Sequence, residues 1–145
     1  MKAVVQRVKK TSLTCEGETI STINFGLVVY FGVQKGDTPD KAEFLARKIA
    51  DLRIFEDDSG KMNLSVKAVK GEILAVSQFT LLADLSHGNR PGFTDAEEPI
   101  AAEKIYEYFL KCLSLQDVTV KKGVFGGDMK ISQLNDGPVT IIYEI

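Results

Sequence analysis

A chain of 145 residues, 44% hydrophobic and 26% charged, fits one domain with a buried core, and it contains no repeat, linker or low-complexity stretch. A formal charge of −2 argues against a broad electrostatic grip on nucleic acid, leaving only two narrow basic groups, Arg7, Lys9 and Lys10 and then Lys121, Lys122 and Lys130. Either group can meet phosphate, but a solvated face is the simpler expectation for both. No apolar run is long enough to span a membrane, and the start, Met1 to Arg7, lacks the apolar run and cleavage site of a signal peptide. The two cysteines, Cys15 and Cys112, have no metal or redox spacing and sit in apolar patterns. They are expected to be buried free thiols, and the expected compartment is the cytoplasm.

In chain order, residues 2–8, 11–15 and 18–23 read as short strands, with Glu16-Gly17-Glu18 a turn. Leu27-Val28-Val29-Tyr30-Phe31 is continuously apolar, as in a strand covered on both faces. Thr38 and Pro39 open a helix, Thr38 as its cap, and Ala42, Leu45, Ala46, Ile49 and Leu52 give it one apolar face. Asp57-Asp58-Ser59-Gly60 reads as a turn, because the later ligands of a calcium loop are missing. A strand follows from Glu72 to Phe79, and residues 83–99 form a polar loop long enough to suggest a function. A second helix is predicted from Ile100 to Leu113, with Ile105, Tyr108, Phe109 and Cys112 on one side. Strands near 118–122, 129–134 and 139–145 close the chain. These elements predict one α+β domain over residues 1–145, its mostly antiparallel sheet strongly curved or closed like a barrel.

The usual equipment of a hydrolase is absent: there is no G-x-S-x-G elbow, H-E-x-x-H, P-loop or G-x-G-x-x-G. The single histidine, His87, makes a zinc site improbable, and Asp84, Ser86 and His87 are too close in sequence to be expected to converge as a triad. Three segments stand out. Ser77-Gln78-Phe79-Thr80-Leu81 ends a buried strand with two hydroxyls and an amide, and hydroxyls there can simply bond across to a neighbouring strand. Gly88-Asn89-Arg90-Pro91-Gly92-Phe93 sets an arginine and an aromatic ring in the long loop. Asn135-Asp136-Gly137-Pro138-Val139-Thr140 suits a hairpin turn between the last two strands.

In this order the three resemble the D-aminoacyl-tRNA deacylase family: Ser-Gln-Phe-Thr at 77–80, Arg-Pro-x-Phe at 90–93 and Asn-x-Gly-Pro-Val-Thr at 135–140. The resemblance runs from Gln6-Arg7-Val8 through Arg53-Ile54-Phe55 and Gly60-Lys61-Met62-Asn63 to the C-terminal strand, departing at Gly92 and at Gly126-Gly127. It implies a homodimeric hydrolase that releases D-amino acids from the 3′ end of tRNA, with no cofactor and no metal. It also implies catalytic positions at Ser77, Gln78, Phe79 and Thr80, and substrate binding and chiral selection by Gly137, Pro138, Asn135, Arg90, Phe93 and Phe125. In the family the Gly-Pro peptide is cis and reaches into the partner's site, where main-chain atoms obstruct an L side chain. An aminoacyl ester is reactive and has a ribose hydroxyl beside it, so position and oxyanion donors matter more than a strong nucleophile. Thr80 has no base in its motif, so Ser77, Gln78 and Thr80 are expected to orient substrate, with main-chain N–H groups near Phe79 holding the oxyanion. Two readings compete: a non-catalytic RNA- or nucleotide-binding domain, and an interaction module that dimerises through sheet edges.

Overall fold

The strand that begins at Lys2 does not stop at Lys9-Lys10. The computed structural model, which describes residues 1–145, continues it to Cys15 as one strand, β1 (Lys2–Cys15), whose alternation lapses only at Arg7-Val8, both buried, and Lys9-Lys10, both exposed. One edge of β1 pairs antiparallel with β3 (Gly26–Gly32) along its first half and with β2 (Glu18–Ile23) along its second. The other edge carries β8 (Met129–Glu144), antiparallel from Lys2↔Glu144 to Cys15↔Met129. Beyond β3 the ladders turn parallel, to β6 (Glu72–Ser77) and then β7 (Thr119–Lys122). Parallel neighbours need crossovers, and the two helices supply them: α1 (Pro39–Ala50) between β3 and β6, α2 (Pro99–Ser114) between β6 and β7. A small hairpin, β4 (Phe55–Glu56) and β5 (Met62–Leu64), turns at Asp57, whose carboxylate takes the Ser59 hydroxyl, the Lys61 N–H and the Asn63 amide and is held at about 2.

β7 comes back to β2, where Ser21 Oγ donates to the Lys122 carbonyl (2.7 Å) and Lys121 Nζ to that of Thr22 (2.6 Å). The result is the expected α+β fold with a nearly closed, mixed sheet. Its helix-covered face buries Val29, Phe31 and Ile73 against Leu45 and Ile49 of α1 and Phe109 of α2, with Phe31 stacked on Phe109 at 4.1 Å. The opposite face buries Val28, Leu74 and Val76 with Val8, Leu13 and Ile23. Covering on both faces is why β3 and β6 read as unbroken apolar runs.

Three expectations need correction. Thr38 stands at the cap of α1, but its side chain makes no capping bond; Pro39 and the Thr38 carbonyl start the helix instead. The buried face of α2 is turned from the expected one and centres on Tyr106, Phe109 and Leu113, leaving Ile105 and Tyr108 half-buried. The 135–138 segment is no hairpin, because both of its flanks pair with the same strand, β1.

A buried ion pair ties the ends of the sheet to α1. The Met1 amino group lies 2.8 Å from Asp37 Oδ2 and donates to the Ile145 carbonyl at 2.9 Å. Asp37 also accepts the Gln34 N–H (2.8 Å) and Lys41 Nζ (2.9 Å). Burial alone would raise its carboxyl, but these bonds, that of the ammonium foremost, outweigh it and hold the group below the usual range.

Candidate active site

β6 ends at Ser77 because Gln78, at φ −148° and ψ 83°, turns the chain into one turn of 3-10 helix, Phe79–Leu82. The Gln78 N–H donates to the Phe31 carbonyl (2.8 Å), which fixes the turn to β3. As the first residues of that turn, Phe79 and Thr80 have main-chain N–H groups with no acceptor in the chain. Gln78 Nε2 donates to Thr80 Oγ1, and neither the Ser77 nor the Thr80 hydroxyl meets a carboxylate or imidazole.

Beside the turn lies a cavity of about 630 Å³. Phe79 and Phe93 form one wall as an edge-to-face pair with centroids 5.0 Å apart, and Tyr106 and Phe125, 5.9 Å apart, form another. The Tyr106 hydroxyl donates to the Ala75 carbonyl (2.9 Å), and burial pushes the phenol far up, so it is a wall and not an acid. Of the expected site residues, Ser77, Gln78, Phe79, Phe93 and Phe125 line this cavity. Thr80 sits on the same turn with its hydroxyl on Gln78. Arg90 is exposed in the 83–98 segment, which is closed by paired bonds between Asp84 and Gly92 (2.8 and 2.9 Å) and tied by a Gln34–Ala96 bridge to the chain just past β3. His87 is exposed there too, and Asp84 turns its carboxylate to the Ser86 N–H (2.9 Å), which holds it low; no triad forms.

Asn135, Gly137 and Pro138 do not line the cavity of their own chain. Asn135↔Val8 and Thr140↔Gln6 are successive pairings, so five steps along β8 answer two along β1 and the residues between are thrown outward as a bulge. Gly137 and Pro138 are exposed on it, joined by a cis peptide bond. Gly137 sits at φ +121°, where a Cβ would meet Val139 Cγ2 at 2.9 Å and Arg7 Nη2 at 3.2 Å. Ile131, the nearest residue of this strand that lines the cavity, is six residues back, on the order of 20 Å away along the strand.

Sequence reasoning placed Arg7 only in a motif and a basic group. Here it is almost fully buried and holds the bulge: Nη1 donates to the Ile54 carbonyl (2.6 Å), Nε to that of Asp136 (3.3 Å), and Nε also pairs with Asp136 Oδ2 (3.3 Å). Lys9 pairs with the same carboxylate, while Lys121, Lys122 and Lys130 pair with Glu72, Glu107 and Asp128. Most of the two basic groups is thus committed within the chain, and the buried Arg7 departs from the solvated face expected of its group. Ala102, Tyr106, Met129 and Ile131 of the cavity wall were also missed, since apolar spacing alone reads them as core. No three His, Cys, Asp or Glu side chains gather as a metal-holding group.

Residues 4–144 match the model of a family described as D-Tyr-tRNA(Tyr) deacylase. The D-aminoacyl-tRNA deacylase of Carboxydothermus hydrogenoformans is 49% identical over 145 residues, covering 100% of both chains. That of Geotalea uraniireducens is 49% identical over 144 residues, covering 99% of this chain and 93% of its own. A solved structure titled c-Myc DNA Unwinding Element Binding Protein superposes with a TM-score of 0.94 at 45% identity, over 100% of this chain and 99% of that one. With the same motifs on one cavity and one bulge, this chain belongs to the D-aminoacyl-tRNA deacylase family.

Proposed function

We propose that this deacylase hydrolyses the ester of D-aminoacyl-tRNA, and of glycyl-tRNA, without a side-chain nucleophile, and that it spares L-aminoacyl-tRNA through a main-chain clash at Gly137–Pro138. The observation that carries the reading is the pair of free amides, Phe79 and Thr80, beside a cavity where no hydroxyl has a base. They are suited to the oxyanion that forms when water adds to the ester carbonyl. The C–O bond to the ribose then breaks, water's hydroxyl stays on the amino acid, and the proton goes to the ribose oxygen. Ser77 and Gln78 orient the ester, and the neighbouring ribose hydroxyl of the substrate assists the water.

Selection falls to the bulge. Its exposure, and its distance from its own cavity, support delivery to the cavity of a second copy in a homodimer. There its carbonyls accept the α-ammonium and occupy the side of the α-carbon where an L side chain would point. Glycine has no side chain to clash, so it is hydrolysed like a D-residue. D-alanyl and glycyl substrates differ by one methyl, about 10–200-fold at most, whereas L-alanyl-tRNA is far slower than both. Time courses on the three charged tRNAs at equal concentration test this. Glycyl-tRNA as resistant as L-alanyl-tRNA would mean that a positive contact to the D side chain does the selecting. A purely nucleic-acid-binding domain would release no amino acid in any of the three.

A further inference from the structure

The cavity beside the 77–82 turn offers nothing to a phosphate. No Lys, Arg or His lines it, whereas Glu97, Glu98 and Asp128 do. Given the proposed substrate, on which this step rests, the chain of phosphates begins just behind the terminal nucleotide. The cations that meet it must stand outside that cavity.

A second, smaller cleft of about 280 Å³ lies at the foot of the bulge, and its lining includes Arg7, Lys9, Phe25, Phe55, Glu56 and Asp136. Buried Phe55 meets the Phe25 ring edge-to-face at 5.1 Å and props it, while Phe25 itself stays 37% exposed. A part-open ring beside cations is a platform on which an unpaired base can stack. Lys9 Nζ lies 3.3 Å from Asp136 Oδ1, but Arg7 holds the same carboxylate through Oδ2, so Lys9 can leave it without stranding a charge. Lys10, next in the chain, is exposed and enters no ion pair. Arg7, Lys9 and Lys10 against Asp136 and Glu56 leave the group net positive. Asp136 also precedes Gly137, so cleft and bulge share a residue, and the cavity that receives the bulge has the cleft at its rim. We infer that this cleft, with Lys9 and Lys10, holds the unpaired tRNA nucleotides that precede the terminal one. Phe25 stacks on a base and the two lysines meet phosphates.

The test uses the full protein and compares D-alanyl-tRNA with D-alanyl-adenosine, which keeps the ester but lacks the preceding nucleotides. Phe25→Leu keeps an apolar contact with Phe55 and loses the ring, and is expected to lower kcat/KM on the tRNA by about tenfold; Phe25→Tyr, which keeps a ring, should restore it. A protein carrying both Lys9→Ala and Lys10→Ala should lose a similar factor. Its kcat/KM should also fall less steeply with salt, by about 0.7 in the log–log slope for each phosphate no longer met. On D-alanyl-adenosine the losses should be several-fold smaller. Equal losses on the two substrates would mean that these residues only hold the bulge, and an unchanged salt slope would mean that the lysines meet no phosphate. Either result overturns the inference and leaves the deacylase reading standing. Wild-type protein that hydrolyses no D-alanyl-tRNA takes down both.

Discussion

Thr80 offers a hydroxyl beside the cavity and Cys15 a thiol behind it, yet neither is equipped to attack. The Thr80 hydroxyl receives the Gln78 amide, and Cys15 Sγ lies 3.0 Å from where a Gly127 side chain would begin, buried under that loop. Thr80→Ala and Cys15→Ala are each expected to keep kcat/KM within about tenfold of wild type. An acyl-enzyme trapped by mass spectrometry, or single-turnover hydrolysis abolished in folded protein, would reverse that view. Asp37 is a different kind of residue, structural and charged. Its folded-state carboxyl lies below the usual value, so its stabilisation is present above about pH 4, the unfolded value, and fades as pH falls through the folded one. Asp37→Asn leaves a buried ammonium without its anion and should cost about 3 kcal/mol at neutral pH. Denaturant midpoints for the two proteins should converge as the buffer drops below about pH 4; a gap that widens in acid would contradict the sign.

At the scale of elements, the bulge in β8 depends on a residue far from it in sequence. Arg7 joins Asp136 to the Ile54 carbonyl, so the guanidinium sets the position of Gly137–Pro138 against β1. Lysine keeps the charge but lacks the planar fork. Arg7→Lys is therefore expected to lower the ratio of D-alanyl to L-alanyl hydrolysis by about tenfold, and Arg7→Ala by more. Unchanged ratios in both would show that the bulge is held by its own backbone. This element also marks the limit of what the sequence discloses. Periodicity shows strands on both sides of 135–138, and turn-forming residues between them favour a hairpin; only pairing of both flanks with β1 makes the segment a bulge. The motif 77–80 was legible as a set of polar groups at a strand end. The free amides of Phe79 and Thr80 were less so, since they arise from a turn whose geometry is set by Gln78 bonding to Phe31. Apolar spacing hid the rest of the cavity wall, because Tyr106 and Met129 have the same spacing whether they meet a ligand or the core.

At the scale of the whole molecule, cavity and bulge lie apart on one chain, and the proposed activity requires them together. β8 pairs only with β1, and it leaves Leu134 and Ile142 60% and 70% exposed along an open strand, an apolar surface suited to a second copy. In the proposed two-fold dimer the two features would be exchanged reciprocally, each chain's bulge entering the other's cavity. Sedimentation that finds an active monomer at assay concentration would already exclude this arrangement, but a mixing experiment decides which chain supplies what. Ala102→Trp fills the cavity and leaves the bulge intact; Gly137→Val puts a branched side chain where a Cβ already meets Val139 and Arg7, and leaves the cavity open. Neither homodimer should hydrolyse D-alanyl-tRNA selectively. When the two chains are refolded together, half of the dimers are mixed and each has one site with an open cavity and a sound bulge. Selective hydrolysis should therefore return to about a quarter of the wild-type level. If the bulge served the cavity of its own chain, no chain in the mixture would hold both intact features, and co-refolded dimers verified by sedimentation would be as unselective as their parents.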